Sequence, residues 1–185
     1  MDLIEQAVIA GVPLIQIREK HLFTRLLLEL ASKAVRTSAG SQTKILVNDR
    51  ADVASDAGAH GVHLTERSMP ADVIRKSFPE LEIVGVSAHT LDGVLIASRM
   101  KADFSVFGPV FSTPGKGSPL GIETLKEICD AAKPFPVIAL GGIDADNFED
   151  VLNAGAGGFA AIRFLSDPDS FGLLSKAGFL SAPRT

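Results

Sequence analysis

The sequence lacks several residue types and segments that mark whole classes of protein. It contains no tryptophan, no tyrosine and a single cysteine, Cys129, which excludes an internal disulfide and favours a reducing compartment. No apolar run approaches the roughly 20 residues of a membrane helix. The first residues carry acids where a secretory signal would be basic. We therefore expect a soluble, cytoplasmic protein with no membrane partner.

Positive charge is also scarce, because 18 Lys and Arg residues against 22 Asp and Glu residues give a net charge of −4. Proteins that bind nucleic acids usually show a basic stripe and stacking aromatic residues, so no nucleic-acid partner is expected. If the ligand is an anion, the cations must gather in one place. The 185 residues, 46% of them hydrophobic, are enough for one buried core, and we expect a single domain over residues 1–185.

Short apolar runs alternate with helix-like stretches along the whole chain, which predicts a parallel sheet with right-handed crossovers. The runs lack strict alternation and are typical of strands buried on both faces. The predicted strands are Leu14–Arg18, Lys44–Asp49, Gly61–Leu64, Ile83–Ser87, Phe104–Gly108, Val137–Gly142 and Phe159–Leu165. The predicted helices are Leu3–Ala10, Thr24–Ser38, Ala51–Ala57, Ala71–Ser77, Leu91–Met100, Ile122–Ala132 and Asn147–Ala154. The strands recur about every 24 residues, which predicts an α/β fold of the TIM (β/α)8-barrel type.

Seven predicted strands are one fewer than the barrel needs, and a helix precedes the first of them. We therefore expect a TIM-type barrel that lacks its first β-strand. Three explanations stay open: a lost or unassigned N-terminal segment, an open seven-stranded barrel, or an edge closed by another chain. The third predicts a homo-oligomer, because unpaired edge strands promote aggregation.

Functional groups of such a barrel lie at the C-terminal ends of its strands, and the first predicted strand ends in polar residues. Successive side chains of a strand point to opposite faces, so we expect Gln16, Arg18 and Lys20 to lie on one face. The planar guanidinium of Arg and the mobile charge of Lys suit a phosphate or carboxylate. A rim of salt bridges without a ligand is an equally good interpretation of these three residues.

The second strand ends with Asn48 and Asp49, an amide and a carboxylate suited to Mg²⁺. Taken alone, a helix cap by Asp49 or Asp52 is the better interpretation. Farther along, Ser87 at a strand end could bind a ligand. His63 and His89 are each interpreted as structural, since neither has a second His at the spacing of a metal site.

Two later loops complete the candidate site. The Gly- and Pro-rich loop Gly108–Gly117 carries Thr113 and Lys116, and a mobile Lys there fits closure over an anion. The Gly141–Gly142 turn and the Ile162–Arg163 segment match the phosphate-binding loops of this barrel; simple close packing is the alternative for the glycines. Four cations would then converge on one mouth and bind two phosphorylated groups: Arg18, Lys20, Lys116 and Arg163.

Together these segments resemble the family of thiamine-phosphate synthase and its paralogue, the thiazole tautomerase of thiamine biosynthesis. The matching segments are Gln16–Lys20, Val47–Arg50, Gly61–Leu64, Gly85–Thr90, Gly108–Thr113 with Lys116, and Ala139–Ile143. The resemblance implies a transferase that couples hydroxymethylpyrimidine diphosphate with thiazole phosphate, giving thiamine phosphate and diphosphate. Its substrates are small phosphorylated molecules. No protein nucleophile is needed, so positioning and charge stabilisation carry the catalysis.

The resemblance also assigns roles to individual residues. It implies that the pyrimidine diphosphate is held by Gln16, Arg18, Lys20, Asn48, Ser87, Thr113 and Lys116. Of these, Arg18, Lys20 and Lys116 are the catalytic cations. It further implies that Asp49 binds Mg²⁺ and that the Gly142 backbone, with Ile162 and Arg163, holds the thiazole phosphate.

The chain departs from the synthase pattern at three positions. Ser68 stands where the family has a second Asp for Mg²⁺, so Glu66 becomes the candidate for the second carboxylate; Gly115 replaces a Thr, and Arg163 replaces a small Ser. A tautomerase would need no metal, but its His after Phe-Gly is Pro109 here. A synthase is therefore expected first, a tautomerase-like isomerase second, and a non-catalytic binder of phosphorylated thiamine intermediates third.

Overall fold

The computed structural model describes residues 3–178 and residue 180, and these alternate between helices and strands as the sequence predicts. The strands are β1 Leu14–Ile17, β2 Lys44–Asn48, β3 Gly61–Leu64, β4 Ile83–Ala88, β5 Phe104–Phe107, β6 Val137–Leu140 and β7 Gly158–Ala160. The helices are α1 Leu3–Ile9, α2 Thr24–Ser38, α3 Ala51–Asp56, α4 Ala71–Ser77, α5 Leu91–Arg99, α6 Ile122–Ala132, α7 Phe148–Asn153 and α8 Pro168–Lys176. The described residues thus contain the seven expected strands, the first of them preceded by a helix.

The chain divides into two compact units. The described part of the first comprises residues 3–63, 74–83, 165–178 and 180; the second comprises residues 64–73 and 84–164.

In the first unit β1 and β2 run parallel, and so do β2 and β3, with Ile17 opposite Val47 and Asn48 opposite His63. Helix α2 packs on β2 because its apolar positions recur at helical spacing and are buried; they are Leu27, Ala31 and Ala34. Helices α1 and α8 share a smaller core cluster that includes Ala7, Val12 and Phe171. The parallel order places the C-terminal ends of β1 and β2 side by side.

In the second unit β4 to β7 pair parallel in sequence order, with Ser87 opposite Val106 and Phe107 opposite Ala139. Every residue of β5 is buried, and Phe107 has no exposed surface. This confirms the prediction of a strand buried on both faces.

The last strand is shorter than the predicted Phe159–Leu165. Strand β7 ends at Ala160, and Phe164–Ser166 forms a 3-10 turn. The ring of Phe164 packs at 6.2 Å between centroids from both Phe148 and Phe159. At the apolar end of the predicted strand, Phe164 therefore packs against other aromatic rings in a turn and does not pair as part of a strand.

Two Ala-Gly-Ala segments, residues 57–59 and 154–156, each follow the end of a helix. After α3, the N–H of Gly58 donates to Ser55 O and the N–H of Ala59 donates to Ala54 O. After α7, Gly155 and the residue that follows make the equivalent pair of bonds. Both glycines have positive φ, 66° and 92°, which this helix ending requires and which glycine adopts without strain.

Candidate active site

In the first unit, the ends of β1 and β2 bring two predicted site residues together. The side-chain amide of Gln16 donates to Asn48 Oδ1 at 3.1 Å. Gln16 is exposed and Ile17 is buried at the end of β1, whereas Arg18, Glu19 and Lys20 follow the strand and are all exposed. The two amides have further donors and acceptors with which they can bind a polar ligand.

The cations of the candidate set do not form the rim of salt bridges that was the alternative interpretation. Among residues 3–178 and 180, no carboxylate lies within ion-pair distance of four exposed side chains: Arg18, Lys20, Lys116 and Arg163. Arg50, by contrast, binds Asp52 through two hydrogen bonds of 2.8 and 2.6 Å. The uncompensated cations can therefore bind an anionic ligand without first breaking an ion pair.

Asp49 has an unusual backbone. Its φ is +59°, in the left-handed region, and its N–H donates to the carbonyl of His63 at 2.8 Å. Asp tolerates this conformation better than most residues, and such strain clusters at functional sites. At the start of α3, Arg50 occupies the N-cap position and its side chain makes no capping hydrogen bond. Asp52 lies in the first turn, where its carboxylate binds Arg50 and accepts from the backbone N–H of Val53.

His63 is 5% exposed in β3, as a packing residue should be. Burial, with a smaller contribution from the positive charge of Arg18, lowers the pKa of His63 to about 4. The ring is therefore neutral at physiological pH. The proximity of Arg18, which follows β1, to His63 in β3 could not be predicted from the sequence.

Ser68, which stands where the family has an Asp, and Glu66, the candidate second carboxylate, both make hydrogen bonds in the second unit. The hydroxyl of Ser68 accepts from Thr65 N–H at 2.8 Å and lies 2.9 Å from the Thr65 hydroxyl, which closes the turn after β3. Glu66 Oε1 accepts from the backbone N–H of His89 at 3.0 Å. Nothing in the sequence predicts this second contact.

No cluster of three or more His, Cys, Asp or Glu side chains that could hold a metal occurs in residues 3–178 and 180. Mg²⁺ is commonly bound by one or two protein carboxylates together with phosphate oxygens of a substrate. Asp49, exposed at the end of β2, fits that mode of binding.

The loop from Gly108 to Gly121 is tied down at its base. Val110 N–H donates to Leu140 O at 2.9 Å, and Leu120 N–H donates to Pro109 O at 2.9 Å. Beyond this base, Lys116 N–H donates to Thr113 O at 3.1 Å, which forms a turn. Lys116 is exposed and Thr113 is half-buried, whereas Ser87 is half-buried at the end of β4.

Gly142 is closely packed, which agrees with the alternative interpretation of the Gly141–Gly142 turn. A Cβ at this position would lie 2.6 Å from Ser112 O and 2.7 Å from Phe111 Cβ, and the φ is +64°. Its carbonyl accepts from the Asn147 side chain at 3.0 Å. Close packing does not exclude phosphate binding, because a residue without a side chain also leaves the backbone N–H accessible to a ligand. Ile162 and Arg163 are exposed in the segment between β7 and the 3-10 turn.

Comparison with known proteins decides which family this geometry represents. The model of the thiamine monophosphate synthase family matches residues 1–165. The chain belongs to that family. A protein of Geobacter sulfurreducens is 44% identical over 177 residues, covering 91% of this chain and 81% of its own length. The thiamine-phosphate synthase of Enterococcus faecalis is 38% identical over 160 residues, covering 86% of this chain and 75% of the relative.

A solved structure agrees with this assignment. Thiamine phosphate pyrophosphorylase from Pyrococcus furiosus is 30% identical and superposes with a TM-score of 0.83, covering 95% of this chain and 88% of that one. The expected α/β fold of the TIM-barrel type is thereby confirmed. Membership of the thiamine monophosphate synthase family also confirms the resemblance drawn from the six short motifs. None of the helices within the described residues is long and apolar enough to span a membrane.

Proposed function

We propose that this member of the family is a thiamine-phosphate synthase, a transferase of thiamine biosynthesis. It joins hydroxymethylpyrimidine diphosphate to thiazole phosphate and releases diphosphate. The family match over residues 1–165 carries this conclusion. The synthase names of the relatives do not favour a tautomerase or a non-catalytic binder.

In the proposed reaction the C–O bond to diphosphate breaks first, the pyrimidine ring stabilises the resulting methylene cation, and the thiazole nitrogen attacks it. In the first unit, Gln16 and Asn48 would orient the pyrimidine through the amides that already bind each other at 3.1 Å. Arg18 and Lys20, which have no carboxylate partner among the described residues, would stabilise the negative charge of the departing diphosphate. His63, neutral because its pKa is about 4, adds no further charge.

The second unit contributes the other ligands in this proposal. Ser87, Thr113 and Lys116 would bind the pyrimidine diphosphate. The N–H of Gly142, with Ile162 and Arg163, would bind the phosphate of the thiazole. The close packing of Gly142 supports this role because it fixes the backbone to which the phosphate would bind.

Mg²⁺ is the cofactor in the proposal, and it would neutralise part of the diphosphate charge when bound. Asp49 is its proposed ligand. Glu66 is the weaker candidate for a second carboxylate, since one of its oxygens already accepts from His89. The cytoplasmic location, the absence of a nucleic-acid partner and the homo-oligomer stay predictions.

Incubating the protein with both substrates and Mg²⁺ tests the function. We expect thiamine phosphate and diphosphate to form. Formation of an isomerised thiazole carboxylate instead would favour the tautomerase, and tight substrate binding without turnover would favour the binder. Asp49→Asn tests the metal: it should raise the Mg²⁺ concentration needed for half-maximal rate at least tenfold, whereas Asp56→Asn on α3 serves as the matched control and should leave it unchanged.

A further inference from the structure

Two side chains, His89 and the weaker candidate metal ligand Glu66, connect three loops of the second unit. Glu66 follows β3, His89 follows β4, and Gly108 follows β5. Glu66 Oε1 accepts from His89 N–H at 3.0 Å, and His89 Nδ1 is hydrogen-bonded to the carbonyl of Gly108. A continuous chain of hydrogen bonds therefore runs from the loop after β3 to the loop after β5.

The chemistry of these contacts fixes the role of the ring. A backbone carbonyl can only accept, so His89 must donate from Nδ1. The backbone of His89 is held in turn, because the next residue, Thr90, caps α5 by accepting from Gly93 N–H at 3.1 Å. The histidine is thus attached to the start of a nine-residue helix on one side and to Gly108 on the other.

Gly108 is the first residue of the loop that carries Thr113 and Lys116. The base of this loop is closed by hydrogen bonds from Val110 to Leu140 and from Leu120 to Pro109. The contact with His89 is made one residue before that base. The Gly108 carbonyl thus lies directly beside the hydrogen bonds that close the base of the loop, where its orientation affects the path by which the chain enters the loop.

We propose that His89, whose backbone N–H is held by Glu66, is a positioning residue that holds the loop of Thr113 and Lys116 in the geometry that binds the diphosphate substrate. The part of this inference that concerns substrate rests on the proposed function. The part that concerns the loop does not, and the two are tested separately.

Trypsin tests the loop without reference to activity, because Lys116 is exposed and Gly117 follows it. We expect His89→Ala to raise the rate of cleavage after Lys116 about fivefold, the change that loss of one hydrogen bond of ordinary net strength produces. His89→Asn keeps an N–H donor at the place of Nδ1 and should cleave at nearly the wild-type rate. Arg99→Ala, at the other end of α5, is the matched control and should not change it.

Glu66 supplies a second and independent set of variants. Glu66→Ala removes the acceptor for His89 N–H and should also accelerate cleavage after Lys116, whereas Glu66→Gln keeps an acceptor oxygen and should not. If His89→Ala does not fold, comparison of Glu66→Ala with Glu66→Gln tests the proposal instead. Wild-type cleavage rates in the alanine variants, or equal acceleration in the alanine and the conservative variants, would overturn the proposal.

Steady-state kinetics test the link to substrate. His89→Ala should raise the KM for hydroxymethylpyrimidine diphosphate about fivefold and leave the KM for thiazole phosphate unchanged. Equal rises in both KM values would point to a general loss of structure and would contradict the positioning role. If the wild-type protein produces no thiamine phosphate, the proposed function is wrong, while the protease result still judges the role of His89 in the loop.

Discussion

The buried His63 makes the stability of the protein depend on pH in a way that can be calculated. Its pKa is about 4 in the folded chain against 6.5 as the ordinary value, chiefly because burial disfavours the charged ring. The unfolded chain therefore binds the proton more readily than the folded chain does. The contribution of His63 to stability is complete above pH 6.5, falls as the pH is lowered below that value, and is fully lost below pH 4.

The size of the effect follows from the two pKa values. One pKa unit corresponds to 1.36 kcal/mol, so the loss attributable to His63 is about 2 kcal/mol at pH 5 and about 3 kcal/mol below pH 4. Urea denaturation at pH 7 and at pH 5 measures it as a difference in the free energy of unfolding. Carboxylates and His60 also titrate in the protein, so the wild type must be compared with His63→Gln, in which this contribution is absent.

We expect the wild type to lose about 2 kcal/mol more than His63→Gln between pH 7 and pH 5. The matched control is Gln42→Ala, at an exposed position without a titratable group, which should keep the wild-type dependence on pH. Titration of the imidazole signals by NMR reports the same quantity directly. A ring of His63 that titrates near 6.5, or equal losses in wild type and His63→Gln, would refute the reasoning.

Three further predictions follow from single residues. Lys101 has a φ of +65° and occupies the same position after its helix as Gly58 does after α3. Lys101→Gly should therefore raise the free energy of unfolding by about 0.5–1 kcal/mol, and Gly58→Ala should lower it by about 1 kcal/mol. Urea denaturation measures both changes, and a destabilised Lys101→Gly would contradict this reasoning. Gly142→Ala should lower the free energy of unfolding by about 2 kcal/mol and raise the KM for thiazole phosphate, because a Cβ there would lie 2.6 Å from a backbone oxygen. A variant as stable as the wild type would show that the turn can adjust. Gln16→Ala should raise the KM for the pyrimidine diphosphate about tenfold, with Gln6→Ala on α1 as a control; an unchanged KM would remove Gln16 from the site.

Much of the fold could be predicted because the signals are local. In α2 the apolar positions recur every three to four residues, and the helix has the predicted bounds, Thr24–Ser38. Strand β3 is a short apolar run ended by turn residues, and its bounds also agree, Gly61–Leu64. The last strand was predicted too long because an apolar run does not distinguish strand pairing from the ring packing that Phe164 makes.

The site was predictable only in part, because contacts between distant residues leave no local signal. The types and order of the polar residues at the strand ends suggested an anion site and, through six short motifs, the family. The contact of Glu66 with His89 and the proximity of Arg18 to His63 depend on how strands and loops pack. The left-handed backbone of Asp49 likewise depends on the bond to the carbonyl of His63 in a neighbouring strand.

The central claim is that this chain couples two phosphorylated heterocycles, and one time course tests it most directly. Thiamine phosphate and diphosphate are measured together after both substrates and Mg²⁺ are added to the purified protein. We predict that the two products appear in equal amounts, and that Lys116→Ala slows their formation at least tenfold while Lys126→Ala on α6 does not. Release of diphosphate without thiamine phosphate, or no release above the rate without protein, would contradict the account.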